Sequence, residues 1–366
     1  MIKFTCPFCI HTYPKIKVLH VCPDCNKADP SMVHALISRK CQTDGCGGRT
    51  TINRCPICGE AIPKTALETP NLPFSIVGVH NSGKTNYITV MLHELSRTPG
   101  LPLALGHQTP ETLARQNENR ELIYDKHIVP DVTNPGDTPP QIWYVKNIRK
   151  KLGNRVPTYT FTIFDGAGED LENNLDPSST ICRYINSSKA IILAVDPLIL
   201  QNVRKGGVVD PVIMRNSLNG EEIGQQTASD IINGVAQYIK SAHSISSTKK
   251  LKIPVAVVLM KFDTILNHPA FGANAIVRNS SLTLVDGKVN ISEIQQVDEE
   301  IRNWLMQIGE SGFISTIESH FSEYYFFGVS SYGAPPINRT NLPNEIHPHR
   351  VLDPILWLFQ REGFLD

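Results

Sequence analysis

Nowhere in the 366-residue chain is there an apolar run of about eighteen residues, so no membrane-spanning helix is expected. An apolar leader core is also missing, since Met1 to Phe4 is followed at once by Cys6-Pro7, and a cytoplasmic chain is expected. Neither sign of charge is in excess. The 35 Lys+Arg balance 35 Asp+Glu, which removes any whole-chain electrostatic argument for nucleic acid or anionic lipid as a partner. Charged residues are scarce at 19% and hydrophobic ones reach 41%, a balance that excludes intrinsic disorder and provides for a buried core. Internal repeats and low-complexity tracts are lacking too. At this length, two domains of unequal size are expected.

Cysteine is nearly missing beyond residue 58, where only Cys182 remains, read as a small buried hydrophobe. Cys6, Cys9, Cys22, Cys25, Cys41, Cys46, Cys55 and Cys58 form four pairs, three with Cys-x-x-Cys spacing and one as Cys41-x4-Cys46. Pro and Gly at these pairs make tight knuckles that aim two thiolates at one tetrahedral ion, so two pairs complete a closed Zn²⁺ site. Without a secretion signal to favour disulfides, or a βαβ setting for redox chemistry, two structural zinc ions are expected. Sequential grouping is preferred, with Cys6, Cys9, Cys22 and Cys25 on one ion and Cys41, Cys46, Cys55 and Cys58 on the other. A cross-braced sharing of one ion by the first and third pairs stays open, because spacing does not fix connectivity. Four thiolates leave no position for water, which argues against zinc hydrolysis, and the metal offsets the small core of about sixty residues. His11, His20 and His34 read as loop histidines. The scattered basic residues of the module read as a surface for a protein, with nucleic acid as the alternative partner.

Beyond a proline-rich linker expected over 63–73, the apolar run Phe74 to Val79 reads as a buried strand. It enters Gly78-Val79-His80-Asn81-Ser82-Gly83-Lys84-Thr85, which is G-x4-G-K-[ST]. Ile88, Met91, Leu92 and Leu95 follow at helical spacing, so the loop lies between a strand and a helix, as its mechanism requires. Gly78, Asn81, Ser82, Gly83, Lys84, Thr85 and Asn86 are the expected phosphate-binding residues. Amides from Asn81 to Lys84 wrap a β-phosphate at the helix N-terminus, and Gly83 permits close approach. Lys84 offsets β- and γ-phosphate charge, and Thr85 offers a hydroxyl to Mg²⁺.

A second strand pattern, Tyr159 to Phe164, ends in Asp165-Gly166-Ala167-Gly168-Glu169. In this D-x-x-G the aspartate can hold Mg²⁺ through water and the Gly168 amide can bond a γ-phosphate. The nearly all-apolar Ala190 to Val195 reads as a parallel strand buried on both faces, and Asp196 after it is the competing acid of an ATPase reading. Ile253 to Met260 leads into Lys261-Phe262-Asp263, similar to the guanine-reading N-K-x-D with Met260 in place of asparagine. An aspartate accepts from guanine N1–H and the 2-amino group, a pattern adenine does not offer, while the lysine stem packs along the base. Tyr324 to Val329 reads as a last strand, entering Ser330-Ser331-Tyr332-Gly333, similar to the loop whose amide meets guanine O6. Thr138, with Thr133 as second choice, is the expected switch ligand of Mg²⁺.

The ordered set GVHNSGKT, DGAGE, MKFD and SSYG resembles the translation-factor-related (TRAFAC) class of P-loop GTPases over roughly residues 74 to 333. With its cysteine module, long switch region and closing helix around Val351 to Leu358, the chain is similar to the bacterial double-GTPase family of prokaryotic conflict, defence and signalling systems. The resemblance implies an α/β fold: a doubly wound, mostly parallel sheet over 74–366 behind a zinc-ribbon or knuckle module over 1–62. It further implies binding of GTP and GDP with Mg²⁺, and a switch that acts on a protein effector. Lys84, Thr138, Gly168 and Glu169 form the implied catalytic set. Asp165, Lys261, Asp263, Ser330 and Ser331 join the phosphate loop in holding nucleotide, and Thr85, Thr138 and Asp165 hold Mg²⁺. Glu169 stands where many such proteins have glutamine, and a carboxylate has no amide donor to orient water, so slow or partner-stimulated hydrolysis is expected. Segments after the first helix (100–140), after Asp196 and after Asp263 read as insertions, and Arg204 as a solvated loop arginine. Two other classes stay open: a nucleotide-binding scaffold with negligible turnover, and a zinc-ribbon ATPase acting on nucleic acid.

Overall fold

The computed structural model describes residues 2–28, 39–78, 82–131, 139–150, 156–165, 180–205, 208–209, 227–279, 284–338 and 340–366. Four short strands open the chain: β1 (Lys3–Thr5), β2 (Thr12–Pro14), β3 (Leu19–Val21) and β4 (Ile52–Arg54). β1 pairs antiparallel with β2, and β3 with β4. In the second ribbon Val21 lies opposite Ile52 and Leu19 opposite Arg54, so the knuckles that follow β3 and β4 leave from opposite ends.

This pairing corrects the zinc grouping expected from sequence. The thiols are nested: Cys6, Cys9, Cys55 and Cys58 form an outer set and Cys22, Cys25, Cys41 and Cys46 an inner one, with the sulfurs of each set within 4.8 Å of one another. Neither the sequential nor the cross-braced arrangement occurs. Knuckles on opposite ends of an antiparallel ribbon cannot share an ion, so the Cys22 to Cys46 excursion closes on itself and the knuckle between β1 and β2 meets the one after β4. The Cys6–Cys58 and Cys9–Cys55 sulfurs are 3.9 and 3.7 Å apart, and Cys22–Cys46 and Cys25–Cys41 are 3.7 and 3.6 Å apart. Four thiolates about 2.3 Å from a tetrahedral ion stand about 3.8 Å from one another, so both donor sets fit Zn²⁺. In three knuckles the residue after the second cysteine turns into the left-handed region, Ile10 at φ 59, Asn26 at φ 54 and Gly59 at φ 76. Its amide donates back to the carbonyl of the first cysteine.

Phe4, Tyr13, Val18, Ile62, Ala66 and Leu67 pack the small core of this module. The stretch 63–73, expected to link, contains helix α1 (Lys64–Glu68) and the start of β5 (Asn71–Gly78). The chain continues through α2 (Lys84–Arg97), β6 (Leu103–His107), α3 (Pro110–Arg120), β7 (Gln141–Asn147), β8 (Thr158–Asp165), α4 (Thr180–Ser187) and β9 (Ala190–Val195). After α5 (Gln201–Arg204) and α6 (Ala228–Ala242) come β10 (Val255–Leu259) and the hairpin of β11 (Leu284–Val285) with β12 (Lys288–Val289). α7 (Ile291–Gln307), α8 (Ser311–His320), β13 (Tyr324–Gly328) and α9 (Asp353–Arg361) complete the fold. Among the described residues, no helix is long and apolar enough to cross a membrane.

The central sheet has seven strands in the order β13-β10-β9-β5-β8-β7-β6. β13, β10, β9, β5 and β8 run parallel, whereas β7 and β6 add antiparallel at the edge. The 100–140 segment, expected as an insertion, thus supplies a sheet strand. Alternate strand residues face two cores, as the period of a strand buried on both sides demands. Val77, Leu193 and Val257 face α4, α6 and α8, while Phe74, Ile192 and Val258 face α2 and α9. The fold is therefore the expected doubly wound α/β sheet behind a small cysteine-rich module.

The module is docked, not tethered. Ile10 is buried in the same sheet-face core as Val77, Phe164 and Tyr184. The Tyr184 hydroxyl lies 2.9 Å from the Pro7 carbonyl oxygen and 2.7 Å from that of Phe8, while its ring stacks on Phe164 at 4.3 Å. A buried ionic cluster ties α7 to the start of α9: Arg350, at φ 51, meets Glu293 and Asp353, each at 2.7 Å.

Two outcomes test this architecture. Elemental analysis of a Cys22→Ser/Cys46→Ser variant should show one zinc ion lost and one kept. Loss of both would contradict the nested grouping and restore the sequential or the cross-braced one, in each of which that pair spans two sites. Replacing Arg350 with Met takes the cation from between two buried carboxylates and should lower unfolding stability by about 3–5 kcal/mol in a urea titration; a loss below about 1 kcal/mol contradicts the cluster's role.

Candidate functional site

β5 delivers the chain to the phosphate loop beside β9. A Cβ at Gly78 would fall 2.2 Å from the Ala194 carbonyl oxygen, so the neighbouring strand demands this glycine. Gly83 has a different reason: its φ of 86 suits glycine, and nothing lies within 4 Å of where its Cβ would stand. From there α2 begins. The buried Lys84 ammonium donates to the Gly78 carbonyl oxygen at 3.0 Å and to Ser82 Oγ at 3.4 Å. Asn86, in the first turn of α2, is half-buried.

Thr85 Oγ1 donates to Asp165 Oδ2 at 2.7 Å, which joins the start of α2 to the end of β8. Asp165 is 2% exposed, and its other oxygen, Oδ1, is buried without a hydrogen-bond partner. An orphaned carboxylate oxygen beside a hydroxyl and near a buried ammonium is a donor set suited to a hard cation and the phosphates it accompanies. Asn81, Thr133, Thr138, Gly168 and Glu169 lie outside the described residues.

Sequence reasoning missed Arg115. Its guanidinium lies 3.6 Å from Asp165 Oδ2, and Nη1 also donates to the Pro139 carbonyl oxygen at 3.4 Å. α3 is firmly set: Thr109 caps it by accepting from the Thr112 amide, Gln116 donates to the Thr89 carbonyl of α2, and the Ile142 amide donates to Thr112 Oγ1. Burial lowers the Arg115 pKa and the Asp165 charge opposes that, so the guanidinium remains charged. The Thr109-Pro110-Glu111 sequence is a helix-start signal within the segment read as an insertion. Nothing in the sequence marks Arg115 on that helix.

On the other side of β5, the ends of β10 and β13 meet. Met260 is buried in the core and its amide donates to the Val195 carbonyl, so the methionine side chain contributes packing where asparagine would offer hydrogen bonds. Lys261, at φ 47, places its Nζ 2.6 Å from Asp196 Oδ2. Asp196 Oδ1 accepts from the Leu198 amide at 2.9 Å. The two acids that compete in sequence are therefore separated: Asp165 meets the phosphate-loop threonine, and Asp196 is a cap held by Lys261. Burial pushes the Asp263 pKa up, and a hydrogen bond from Ser330 partly restrains it. Ser330 is buried, exchanges backbone bonds with His349 and accepts from the Gly333 amide at 2.9 Å. Ser331, beside it, is half-buried.

No protein-family model matches the chain. A protein of Mycolicibacterium smegmatis named for ESX-1 scaffolding and assembly, SaeC, is 22% identical over 348 residues, covering 85% of this chain and 80% of its own. Solved structures with a likeness include the signal recognition particle receptor SRb-GTP/SRX complex of Chaetomium thermophilum, at 15% identity and a TM-score of 0.29, covering 73% of this chain and 94% of that one. The Arl6 small GTPase of Trypanosoma brucei has 11% identity and a TM-score of 0.29, covering 81% and 99%. The GTP-bound Ski7 GTPase-like domain of S. cerevisiae has 11% identity and a TM-score of 0.33, covering 81% and 50%. The fold assignment rests on the strand order and register given above.

The burial of Asp263 has a titration signature. The Asp263 carboxyl carbon, followed by NMR, should titrate above the ordinary aspartate value of about 3.9. A Ser330→Ala variant should move it further up, because the lost hydrogen bond favours the charged form. An unchanged or lower midpoint in the variant would show that Ser330 does not restrain Asp263.

Proposed function

We propose that the chain is a GTP-binding switch protein that hydrolyses GTP to GDP with Mg²⁺ and acts on a protein partner. One observation carries the reading: the Lys84–Gly78 and Thr85–Asp165 contacts and the Lys261–Asp196 pair after β10 lie along the same C-terminal edge of one parallel sheet. Ligands of open α/β sheets bind along that edge. The guanine base is read by the Asp263 carboxylate, which accepts from N1–H and the 2-amino group, with the Lys261 stem along the base and the Ser330-Ser331 loop at O6. The phosphates are held by the loop from Gly78 to Asn86. Lys84 offsets charge on the β- and γ-phosphates.

Thr85, Asp165 and Thr138 would hold Mg²⁺, which supplies charge stabilisation to the phosphates when bound. The Gly168 amide would meet the γ-phosphate and Glu169 the attacking water, completing the proposed set with Lys84 and Thr138. The carboxylate at Glu169 favours slow or partner-stimulated turnover. Both cysteine sets are proposed to hold structural zinc, and the module over 1–62 to carry the partner surface of the sheet domain over 74–366, joined through 63–73.

Two observations support a partner-directed output. The module is docked on Tyr184 in α4, the helix that follows the Asp165 segment. The M. smegmatis relative is named for scaffolding and assembly; that name also favours a second reading, a scaffold whose bound nucleotide matters more than its turnover. Resemblance to the double-GTPase family suggests a prokaryotic conflict or defence setting.

Competitive binding of GTP, GDP and ATP with Mg²⁺ tests the proposal. The native chain should prefer guanine nucleotides, Asp263→Asn should lose that preference, and Lys84→Ala should bind all three weakly. ATP binding equal to or better than GTP in the native chain would overturn the reading and favour the zinc-ribbon ATPase.

A further inference from the structure

Arg115 belongs to no motif, yet it reaches the centre of the phosphate site. Its Nη2 stands 3.6 Å from the same Asp165 oxygen that accepts from Thr85 Oγ1 at 2.7 Å. The Arg115 side chain is 22% exposed and that of Asp165 only 2%, so the pair is sheltered from the screening that weakens surface ion pairs. Anchoring α3 does not require it, since Gln116 and Thr112 already bond α3 to α2 and β7. Asp165 Oδ1, meanwhile, is buried and lacks a hydrogen-bond partner, which marks this carboxylate as the point where a further ligand is received.

We propose that Arg115 is a cationic residue of the phosphate site, supplied by this chain itself, that shares Asp165 with the divalent cation and takes up charge growing on the phosphates during hydrolysis. The inference rests on the nucleotide reading above and deepens it. In the reaction, water oxygen bonds to the γ-phosphorus and the bond from that phosphorus to the β–γ bridging oxygen breaks, its electron pair staying on GDP. Both hydrogens of the water end on inorganic phosphate as H₂PO₄⁻. Arg115 exchanges no proton; it acts by charge and by donating hydrogen bonds from a planar guanidinium. An arginine supplied within the chain can stabilise such charge, and it does so without waiting for a partner. Two effects of opposite sense follow. As a cation beside Asp165 it weakens divalent binding, and as a donor to the phosphates it speeds their transfer.

The test uses the full chain with R115A, R115K and, as control, R120A, whose arginine on the same helix pairs with Asp125 at 3.2 Å on the surface. Two quantities are read: the Mg²⁺ concentration that gives half-maximal binding of a fluorescent GDP, and the single-turnover rate of GTP hydrolysis. R115A should need several-fold less Mg²⁺ and hydrolyse about 10³-fold more slowly. R115K should keep the native Mg²⁺ requirement but not the rate, and R120A should match the native chain in both. A structural role would instead weaken binding and slow turnover together, with a lower melting temperature, and that result overturns the inference. An R115A variant equal to a native chain that binds and hydrolyses GTP overturns the inference alone. Failure of the native chain to bind GDP or GTP removes the nucleotide reading and the inference with it.

Discussion

Everything at the candidate site depends on the parallel register of β5 between β8 and β9. Ile76 lies opposite Asp165 on one side and Ile192 on the other, and Gly78 lies opposite Ala194. The register continues outward, Val195 opposite Leu259 and Leu259 opposite Gly328. Parallel strands aligned this way end at one level, so the strand ends at Gly78, Asp165, Val195, Leu259 and Gly328 lie side by side. The close approach of Gly78 to the Ala194 carbonyl holds this alignment: a larger residue would push β5 from β9 and disturb the Lys84 and Lys261 halves together.

Charge is distributed along that edge in a way the register alone does not dictate. Asp165 meets Arg115 from α3, and Asp196 meets Lys261 from the end of β10. Each strand-end acid thus has a cation brought from a different element, which lowers the cost of burying it. At Asp263 burial pushes the carboxyl toward protonation, and the Ser330 hydroxyl, its own backbone amide and the Lys261 charge oppose that.

How much of this was legible in the sequence follows from the range of the signals. The strands ending at Gly78, Asp165 and Val195, and the loops containing Lys261 and Ser330, were legible because a buried parallel strand is a continuous apolar run and each chemical motif sits within a few residues of its end. The donor set of eight cysteines was legible for the same reason, since knuckle spacing is local. Their pairing was not, because it is set by β3 meeting β4 across the intervening Cys22 to Cys46 excursion. Arg115 was illegible for a like cause: Arg115 and Asp165 come together only when α3 packs on α2 and β7. The Arg350 cluster joins Glu293, Asp353 and the Ile276 and Asn279 carbonyls from three segments in the same way.

Nesting also makes the two cysteine sets unequal. The inner set closes the excursion between β3 and β4. The outer set includes the Cys6–Cys9 knuckle, whose Pro7 and Phe8 carbonyls meet the Tyr184 hydroxyl and whose following residue, Ile10, enters the sheet-face core. That core contains Val77 and Phe164, the residues just before Gly78 and Asp165. Protein interiors are close-packed, so the outer knuckle and the two strand ends of the candidate site share one packed core. Phe164, the residue before Asp165, stacks on the Tyr184 ring whose hydroxyl meets the first knuckle. The cysteine module is therefore packed against the strands that lead to the candidate site, and the outer set is where the two meet.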